Sequence, residues 1–197
     1  MWTGLMLLLA MTGTLLIPAF APAEAKSRGP RRDSVTEIIV HATGGPFCER
    51  GQLRFSPAGD LDRMTRFFAA SAQVSIHYIV APDGAVAASV PETETAFHAR
   101  DRNETSIGIE LINAGDGREP YPEAQLDALA TLVHGIRTRW KIPLAEIWGH
   151  EEVDRTTFQC AGRTHRRKQD PGPLFPWDRF RLDLLVAEAE RSLAAGR

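Results

Sequence analysis

The stretch IIVHATGG, residues 38–45, decides the prediction of the fold. It begins with three consecutive apolar residues, which is the pattern of a central strand buried on both faces of a sheet. The strand ends in His41, and Gly44 and Gly45 follow shortly after it. A buried strand holds the imidazole of His41 rigidly, and the glycines let the chain turn away and leave a groove open beside it. His41 is therefore the first candidate for a functional side chain.

Strand and helix patterns alternate along the rest of the chain. Asp60 is placed to cap a helix with its apolar residues on one face, at Leu61, Met64, Phe67 and Phe68. A Pro-Asp-Gly turn at 82–84 joins two predicted strands, 74–80 and 85–90. Further strands are predicted at 105–113 and 145–150, helices after Pro122 and around Trp177, and a long loop at 42–59. This order indicates an α/β fold, a single domain whose central mixed β-sheet is flanked by helices.

Length and charge limit the class of protein. A chain of 197 residues suits one domain, and a net charge of -2 argues against a nucleic-acid-binding protein. Residues 5–17 are apolar but too short to span a membrane comfortably, and Ala23-Glu24-Ala25 has the small-x-small pattern of a cleavage site. We therefore predict a signal peptide at 1–25, cleaved after Ala25 or Ala21, a loose polar lead-in at 26–35, and one domain at 36–194. The alternative is an uncleaved N-terminal anchor.

Both alternatives place the domain outside the cytoplasm, in the periplasm or secreted, and signal cleavage would leave no stable membrane span. The chain has two cysteines, Cys48 and Cys160. In an oxidising compartment, two cysteines in one exported domain most simply form a disulfide. A metal-binding role for Cys160 is the alternative.

Two histidines and one aspartate share a position relative to the predicted elements. His41 ends the first strand, His150 ends the last strand, and Asp170 precedes the last helix. Because the ends of strands in one sheet can lie close together, these side chains can converge on one rim. Two imidazoles and a carboxylate leave a fourth tetrahedral position open, which is the arrangement of a catalytic zinc site. Each histidine alone has a simpler explanation as an ordinary surface or core residue.

Glu110 lies in an otherwise apolar strand. Ile107, Ile109 and Leu111 alternate onto one face, and Ser106, Gly108 and Glu110 fall on the other. A buried carboxylate is costly unless it has a partner or a task, and Gly108 would leave space beside it for a substrate or water. The alternative is a partly exposed glutamate paired with an arginine.

Lys168 stands two residues before Asp170 and is placed to stabilise an oxyanion beside a metal. A cluster of basic residues surrounds it, at Arg163, Arg166 and Arg167. These arginines either contact carboxylates of a substrate or form a solvated basic loop.

Six separated motifs occur in a familiar order: IIVHATGG, VSIHYIVAPDG, AFHAR, SIGIEL, WGHEEV and RKQDPGPLFPW. In this order they resemble the zinc-dependent N-acetylmuramoyl-L-alanine amidases of the amidase-2 class, which are related to peptidoglycan recognition proteins. The resemblance covers residues 36–185. It implies a mixed sheet flanked by helices, with one Zn²⁺ in a surface groove.

The resemblance also implies roles for individual residues. His41, His150 and Asp170 match the zinc ligands, Glu110 matches the catalytic glutamate, and Lys168 matches a lysine near the metal. His98, in AFHAR, matches a groove histidine that contacts substrate, as we also expect for Arg167, and His77 matches a strand histidine with a structural or ligand-supporting role. The phage branch has a tyrosine immediately before that strand histidine, where this chain has Ile76, so its task falls to Glu110 or to no residue.

One segment departs from the resemblance. The link between His150 and Asp170 is longer than expected, with an extra piece at 155–164 that contains Cys160. Some phage-branch relatives use a cysteine as the third ligand, but the Lys-x-ligand-Pro pattern is met here by KQDP, which favours Asp170. Because Cys48 follows His41 closely, a Cys48–Cys160 disulfide would tie both loops together near the metal.

The predicted reaction is hydrolysis of the amide between the lactyl group of N-acetylmuramic acid and L-alanine, in peptidoglycan or in muropeptides. A peptidoglycan-binding module without catalytic activity and a zinc peptidase acting on the stem peptide are the alternatives. The sequence leaves open the choice between intact wall and anhydro-muropeptides, the third stem residue and the oligomeric state.

Overall fold

The computed structural model of this chain describes residues 26–195. The strands are β1 (Glu37–Ala42), β2 (Pro46–Glu49), β3 (Gln52–Phe55), β4 (Tyr78–Val80), β5 (Val86–Ala88), β6 (Ser106–Leu111), β7 (Ile147–Gly149), β8 (Thr157–Cys160) and β9 (Arg163–Arg166). The α-helices are α1 (Leu61–Ala70), α2 (Glu123–Trp140), α3 (His150–Val153) and α4 (Trp177–Ala195), and short 3₁₀ helices lie at Arg100–Arg102 and Leu144–Glu146.

A five-stranded mixed sheet forms the centre of the fold, in the order β5-β4-β6-β1-β7. Strands β4, β6, β1 and β7 are parallel, and β5 pairs antiparallel with β4 at one edge. The strand β1 lies between β6 and β7, and all six of its residues are buried. The continuous apolar run at 38–40 therefore marks a central strand, as predicted.

Helices cover both faces of the sheet. On one face, the predicted apolar side of β6, with Ile107, Ile109 and Leu111, joins a core cluster that includes Leu129 of α2 and Leu184 of α4. On the other face, a smaller cluster contains Phe68 of α1 with Ile76, Ile79 and Ile112. Full burial of such a side chain contributes about 1.5–3 kcal/mol, so the two clusters hold the sheet rigidly between the helices. The predicted α/β class with a mixed sheet is confirmed.

Two exposed hairpins lie outside this sheet. Strands β2 and β3 form one, within the segment 42–59 that was predicted as a loop, and β8 and β9 form the other, in the link between His150 and Asp170 that contains the extra piece. The loop prediction for 42–59 is wrong because these strands are stabilised by pairing with each other, while most of their side chains remain exposed. Without a buried face, such strands carry no apolar alternation in the sequence.

The predicted boundaries of several strands are longer than the strands themselves. The ladder of β4 begins at Tyr78 rather than at residue 74, and β7 ends at Gly149 so that His150 is the first residue of α3. The helix α1 begins where predicted, because the Asp60 side chain accepts a hydrogen bond from the backbone of Arg63 at 2.8 Å.

The segment 26–35 is attached to the domain rather than loose. The guanidinium of Arg31 donates to the backbone carbonyls of Glu92, Glu104 and Ser106, and Val35 is buried in the main core. The predicted signal peptide at 1–25 lies outside the described residues. Within residues 26–195, no helix combines the length and the apolar character needed to cross a membrane.

Candidate active site

Three predicted ligand side chains converge at one edge of the sheet. His41 lies near the carboxyl end of β1, His150 begins α3 directly after the neighbouring parallel strand β7, and Asp170 precedes α4. Because parallel strands present their carboxyl ends at the same edge, the fold brings the two histidines together. One potential ligand atom from each of the three residues lies within 4.8 Å of the others, and all three residues are buried.

The distances within this cluster fit a small metal ion. The two Nδ1 atoms of His41 and His150 lie 2.8 Å apart, the Nδ1 of His150 lies 2.9 Å from Oδ2 of Asp170, and the Nδ1 of His41 lies 3.3 Å from the same oxygen. Ligands at about 2.0–2.1 Å around a tetrahedral zinc ion are about 3.3 Å apart. Two imidazole nitrogens that face each other can share only one proton, so the cluster suits a cation between them. The donor set therefore fits zinc.

The electrostatics keep His41 and Asp170 in their metal-binding protonation states. Burial, and then the charge of His150, lower the pKa of His41 to about 4, so this imidazole is neutral at physiological pH. Although burial opposes it, hydrogen bonds from the two histidines hold the pKa of the Asp170 carboxyl below its usual range. Neutral imidazole and ionised carboxylate are the forms that bind a metal.

The backbone around Asp170 is held by two hydrogen bonds. The hydroxyl of Tyr121 donates to the carbonyl of Pro171, and the backbone N–H of Glu151, one residue after His150, donates to the carbonyl of Asp170 at 3.0 Å. Tyr121 was missed by the sequence analysis because it lies in a polar loop where no pattern distinguishes it. It fixes the segment that carries one candidate ligand.

Glu110 lies beside the cluster on β6. It is paired in register with His41 across the β1–β6 ladder, it is buried, and its side chain lines the groove. Burial, and then the negative charge of Asp170, raise the pKa of Glu110 to about 8, against the opposing effect of Lys168. Within the described residues no arginine forms an ion pair with Glu110. The carboxyl is therefore placed to take up and release a proton near neutral pH.

The cluster and Glu110 lie in a groove of about 350 Å³. One part of its lining is apolar and comes from α1 and the segments after it, at Met64, Phe67, Phe68, Val74 and Phe97. Another part is cationic and consists of Arg167 and Lys168, which follow β9. The fold thus brings together the candidate metal cluster, Glu110, Lys168, Arg167 and His98 around one groove.

His98 contacts the metal cluster directly. Its Nδ1 lies 3.0 Å from Nε2 of His41, and its Nε2 lies 3.2 Å from the hydroxyl of Ser106. Gly108 makes room for this ring, since a Cβ at that position would lie 2.6 Å from Nδ1 of His98. The expectation that Gly108 leaves space for a substrate or water is therefore wrong, because the ring of His98 and the Cδ1 methyl of Ile76 fill that space.

His77 is one layer further from the cluster. Its Nδ1 accepts a hydrogen bond from the backbone N–H of Gly108 at 3.0 Å, and its ring lies 5.5 Å from that of His98 in an edge-to-face arrangement. Burial, and then the charge of Arg31, lower the pKa of His77 to about 3. His77 is thus a neutral, fully buried residue that supports β6 and the ring of His98.

The two hairpins beside the groove are joined covalently. A disulfide links Cys48 of β2 to Cys160 of β8, with a Cα–Cα distance of 5.5 Å. It connects the segment that follows His41 to the segment that precedes Asp170. The predicted pairing is present in the structure, and Cys160 is not part of the His41, His150 and Asp170 cluster.

A mixed α/β sheet with two histidines and an aspartate clustered at its edge, next to a buried glutamate in an open groove, defines a class of metal-dependent hydrolase. Comparison with known proteins identifies the family within that class. The family described as N-acetylmuramoyl-L-alanine amidase matches residues 31–173. The chain belongs to this family, and its predicted class of enzyme is confirmed.

Relatives and solved structures agree with this assignment. The chain is 29% identical to the 1,6-anhydro-N-acetylmuramyl-L-alanine amidase AmpD of Enterobacter cloacae, over 91% of this chain and 97% of that protein. It is 33% identical to the N-acetylmuramoyl-L-alanine amidase AmiD of Escherichia coli strain K12, over 55% of this chain and 44% of AmiD. A structure of E. coli AmiD in complex with anhydro-N-acetylmuramic acid-L-Ala-D-gamma-Glu-L-Lys superposes with a TM-score of 0.59 at 28% identity, covering 76% of this chain and 57% of that one.

Proposed function

We propose that this chain hydrolyses the amide between the lactyl group of N-acetylmuramic acid and L-alanine, in muropeptides or peptidoglycan, with one zinc ion held by His41, His150 and Asp170. The observation that carries the proposal is the convergence of these three ligand atoms within 4.8 Å beside Glu110 in one groove. The names of the relatives support the substrate class, because AmpD and AmiD are both named as amidases of this linkage.

A zinc ion at this site would act as a Lewis acid and would lower the pKa of bound water to about 7. The protein supplies what zinc requires. The imidazoles of His41 and His150 and the carboxylate of Asp170 are buried together, and His98 and Ser106 continue the hydrogen-bonded chain behind His41. Such outer partners orient a metal-bound histidine.

Glu110 performs the proton transfers in this proposal. Burial raises the pKa of Glu110 in the metal-free protein, and a bound cation beside it would favour the ionised form, so the carboxyl would first take a proton and then return it. The carboxyl accepts the proton of the attacking water and delivers it to the nitrogen of L-alanine as the amide bond breaks. With Ile76 buried in the core, no side chain from that position competes with Glu110 for the task.

Lys168 stabilises the negative charge on the carbonyl oxygen. It is half-buried, it lines the same groove, and its charge affects both His41 and Glu110. A cation in a partly water-excluded site interacts more strongly with a developing oxyanion than it would in bulk water.

The disulfide supports an oxidising compartment, and with the apolar segment at 5–17 it supports export to the periplasm or beyond the cell.

The test is incubation of the purified protein with anhydro-N-acetylmuramoyl-L-Ala-D-γ-Glu-L-Lys, with and without a chelator and with zinc added back. We expect a free tripeptide that begins with L-alanine, its loss on chelation and its recovery with zinc. A shortened stem still attached to the sugar would identify a stem peptidase instead. Binding without any product would identify a non-catalytic recognition module.

A further inference from the structure

The guanidinium of Arg167 is held in place at the rim of the groove. It lies over the aromatic ring of Phe158 on β8, 5.6 Å from the ring centroid, and the backbone N–H of Arg167 donates to the carbonyl of Thr156 at 2.8 Å. A guanidinium over an aromatic face is attracted by the ring quadrupole and loses part of its freedom. Because Arg167 also lines the groove, its charge is presented toward whatever lies there.

The hairpin that carries this pair is itself anchored. Cys160 at the end of β8 is linked to Cys48, and the guanidinium of Arg166 donates to the backbone carbonyls of Glu151 and Asp154 at the base of the hairpin. The β8–β9 hairpin is therefore a rigid support, and Phe158 and Arg167 keep their relative positions without a bound ligand.

Arg167 has no acidic partner within the described part of the chain, where other arginines do. Arg54 pairs with Glu49 and Arg102 pairs with Glu37. A rigidly held cation at the edge of a catalytic groove is suited to a carboxylate of the substrate, because guanidinium matches carboxylate geometry with two parallel hydrogen bonds.

The chemistry of the proposed substrate places a carboxylate at the right distance. A γ-linked D-glutamate follows the L-alanine whose nitrogen is released, and the γ-linkage leaves its α-carboxylate free. This carboxylate lies within two residue lengths, or about 7 Å, of the scissile amide. Arg167 precedes Asp170 by three residues, which is at most about 10 Å of chain, and its side chain extends into the same groove.

We infer that the β8–β9 hairpin acts as a specificity arm: Phe158 positions Arg167 to bind the free α-carboxylate of the γ-linked glutamate in the stem peptide. The inference rests on the proposed function, and it adds the substrate class, stems with a free rather than an amidated carboxylate at this residue. Arg167 is the contacting residue and Phe158 is a positioning residue that acts through it.

The experiment compares two substrates, anhydro-N-acetylmuramoyl-L-Ala-D-γ-Glu-L-Lys and the same compound with the α-carboxylate converted to a carboxamide. For the zinc-loaded wild-type protein we expect kcat/KM to be about tenfold higher on the free acid, because a charge-assisted hydrogen bond at an exposed rim is worth about one factor of ten. Arg167→Gln should remove this preference by lowering kcat/KM on the free acid alone.

The role of Phe158 has its own readout. Phe158→Leu should raise KM for the free acid about threefold, leave kcat unchanged and leave the carboxamide unaffected, and Phe158→Tyr should restore the wild-type KM, since tyrosine keeps the aromatic face. The matched control is Arg163→Gln, which removes one exposed charge from the same hairpin at a residue that does not line the groove. It should keep the tenfold preference.

Three other outcomes would overturn either the inference or the proposed function. Equal kcat/KM of the wild-type protein on the two compounds would overturn the inference and leave the proposed amidase function intact. Equal losses of preference in Arg163→Gln and Arg167→Gln would also overturn it, because the net positive charge of the hairpin, rather than a contact by Arg167, would then explain the preference for the free acid. Cleavage of neither compound would reject the proposed function itself, and calorimetric binding of both compounds to Glu110→Ala protein would then still measure the preference.

Discussion

Replacement of Glu110 by glutamine separates its catalytic role from its effect on stability. The substitution keeps the shape of the side chain and removes its ability to take a proton. Loss of a general base typically lowers the rate by about 10²–10⁴-fold, and we expect kcat of Glu110→Gln to fall within this range. Zinc binding should persist, because the clustered ligand atoms belong to His41, His150 and Asp170.

The same substitution that lowers activity should raise the stability of the metal-free protein. The pKa of Glu110 rises from 4.5 to about 8 on folding, so between these values the folded state binds more protons than the unfolded state. Stability that depends on this group is therefore present at low pH and is lost as pH rises from 4.5 toward 8. At pH 7 the difference of 2.5 units corresponds to about 3 kcal/mol. Metal-free Glu110→Gln should be more stable than wild type by up to about this amount at pH 7, and equal to it at pH 4.

The assays are single-turnover hydrolysis with zinc, zinc titration calorimetry, and urea unfolding in the presence of a chelator at the two pH values. Glu190→Gln is the matched control, since it makes the same chemical change at an exposed position on α4. A variant within tenfold of wild-type kcat would remove Glu110 from the mechanism. A metal-free variant less stable than wild type at pH 7 would show that the carboxyl is not in a desolvated environment.

Three further predictions concern the supports of the site. His98→Ala should weaken zinc binding about 10–100-fold, because it removes the hydrogen bond to His41, and unchanged affinity in calorimetry would show that His98 does not orient this ligand. Folding lowers the pKa of His77 to about 3, so the neutral imidazole stabilises the protein above pH 6.5 and this stability is lost as pH falls. The free energy of unfolding should fall by about 2 kcal/mol between pH 6.5 and 5. In urea unfolding, a His77→Asn variant should show a weaker dependence of this free energy on pH. Joint replacement of Cys48 and Cys160 by serine should lower the free energy of unfolding by about 3–5 kcal/mol, because the disulfide has a sequence separation of 112 residues, and a loss below about 1 kcal/mol would contradict the constraint on the unfolded chain.

The buried elements were predictable from sequence because burial leaves a pattern. The apolar run before His41 and the alternation around Glu110 are the two central strands β1 and β6. The hairpins β2–β3 and β8–β9 were not predictable, since largely exposed strands place no demand on hydrophobic periodicity. The ladder of β4 starts later than predicted because residues 75–77 bond to loops and to single backbone groups of Phe97 and Gly108.

The chemistry of the site followed from residue types at the ends of predicted elements. Histidine at the ends of two strands and aspartate before the last helix indicated the metal cluster, and a carboxylate on a strand face indicated the base. The contacts that support these residues could not be predicted from the sequence. His98 was expected to contact substrate, and the structure places it against His41, in the space beside Gly108 that was expected to be open. Tyr121 and Phe158 carry no sequence signal, because each acts on a neighbour that is close only after folding.

The sequence alone determined the class of fold, the candidate metal ligands and the candidate base, because periodicity and residue type are local properties that one chain displays along its length. Only the tertiary structure decided which side chains support those groups and how the two hairpins meet. The separation of His41 from His98 by 57 residues, and of Tyr121 from Pro171 by 50, explains why: such contacts depend on how the sheet is assembled, and no single segment of the sequence determines the strand order.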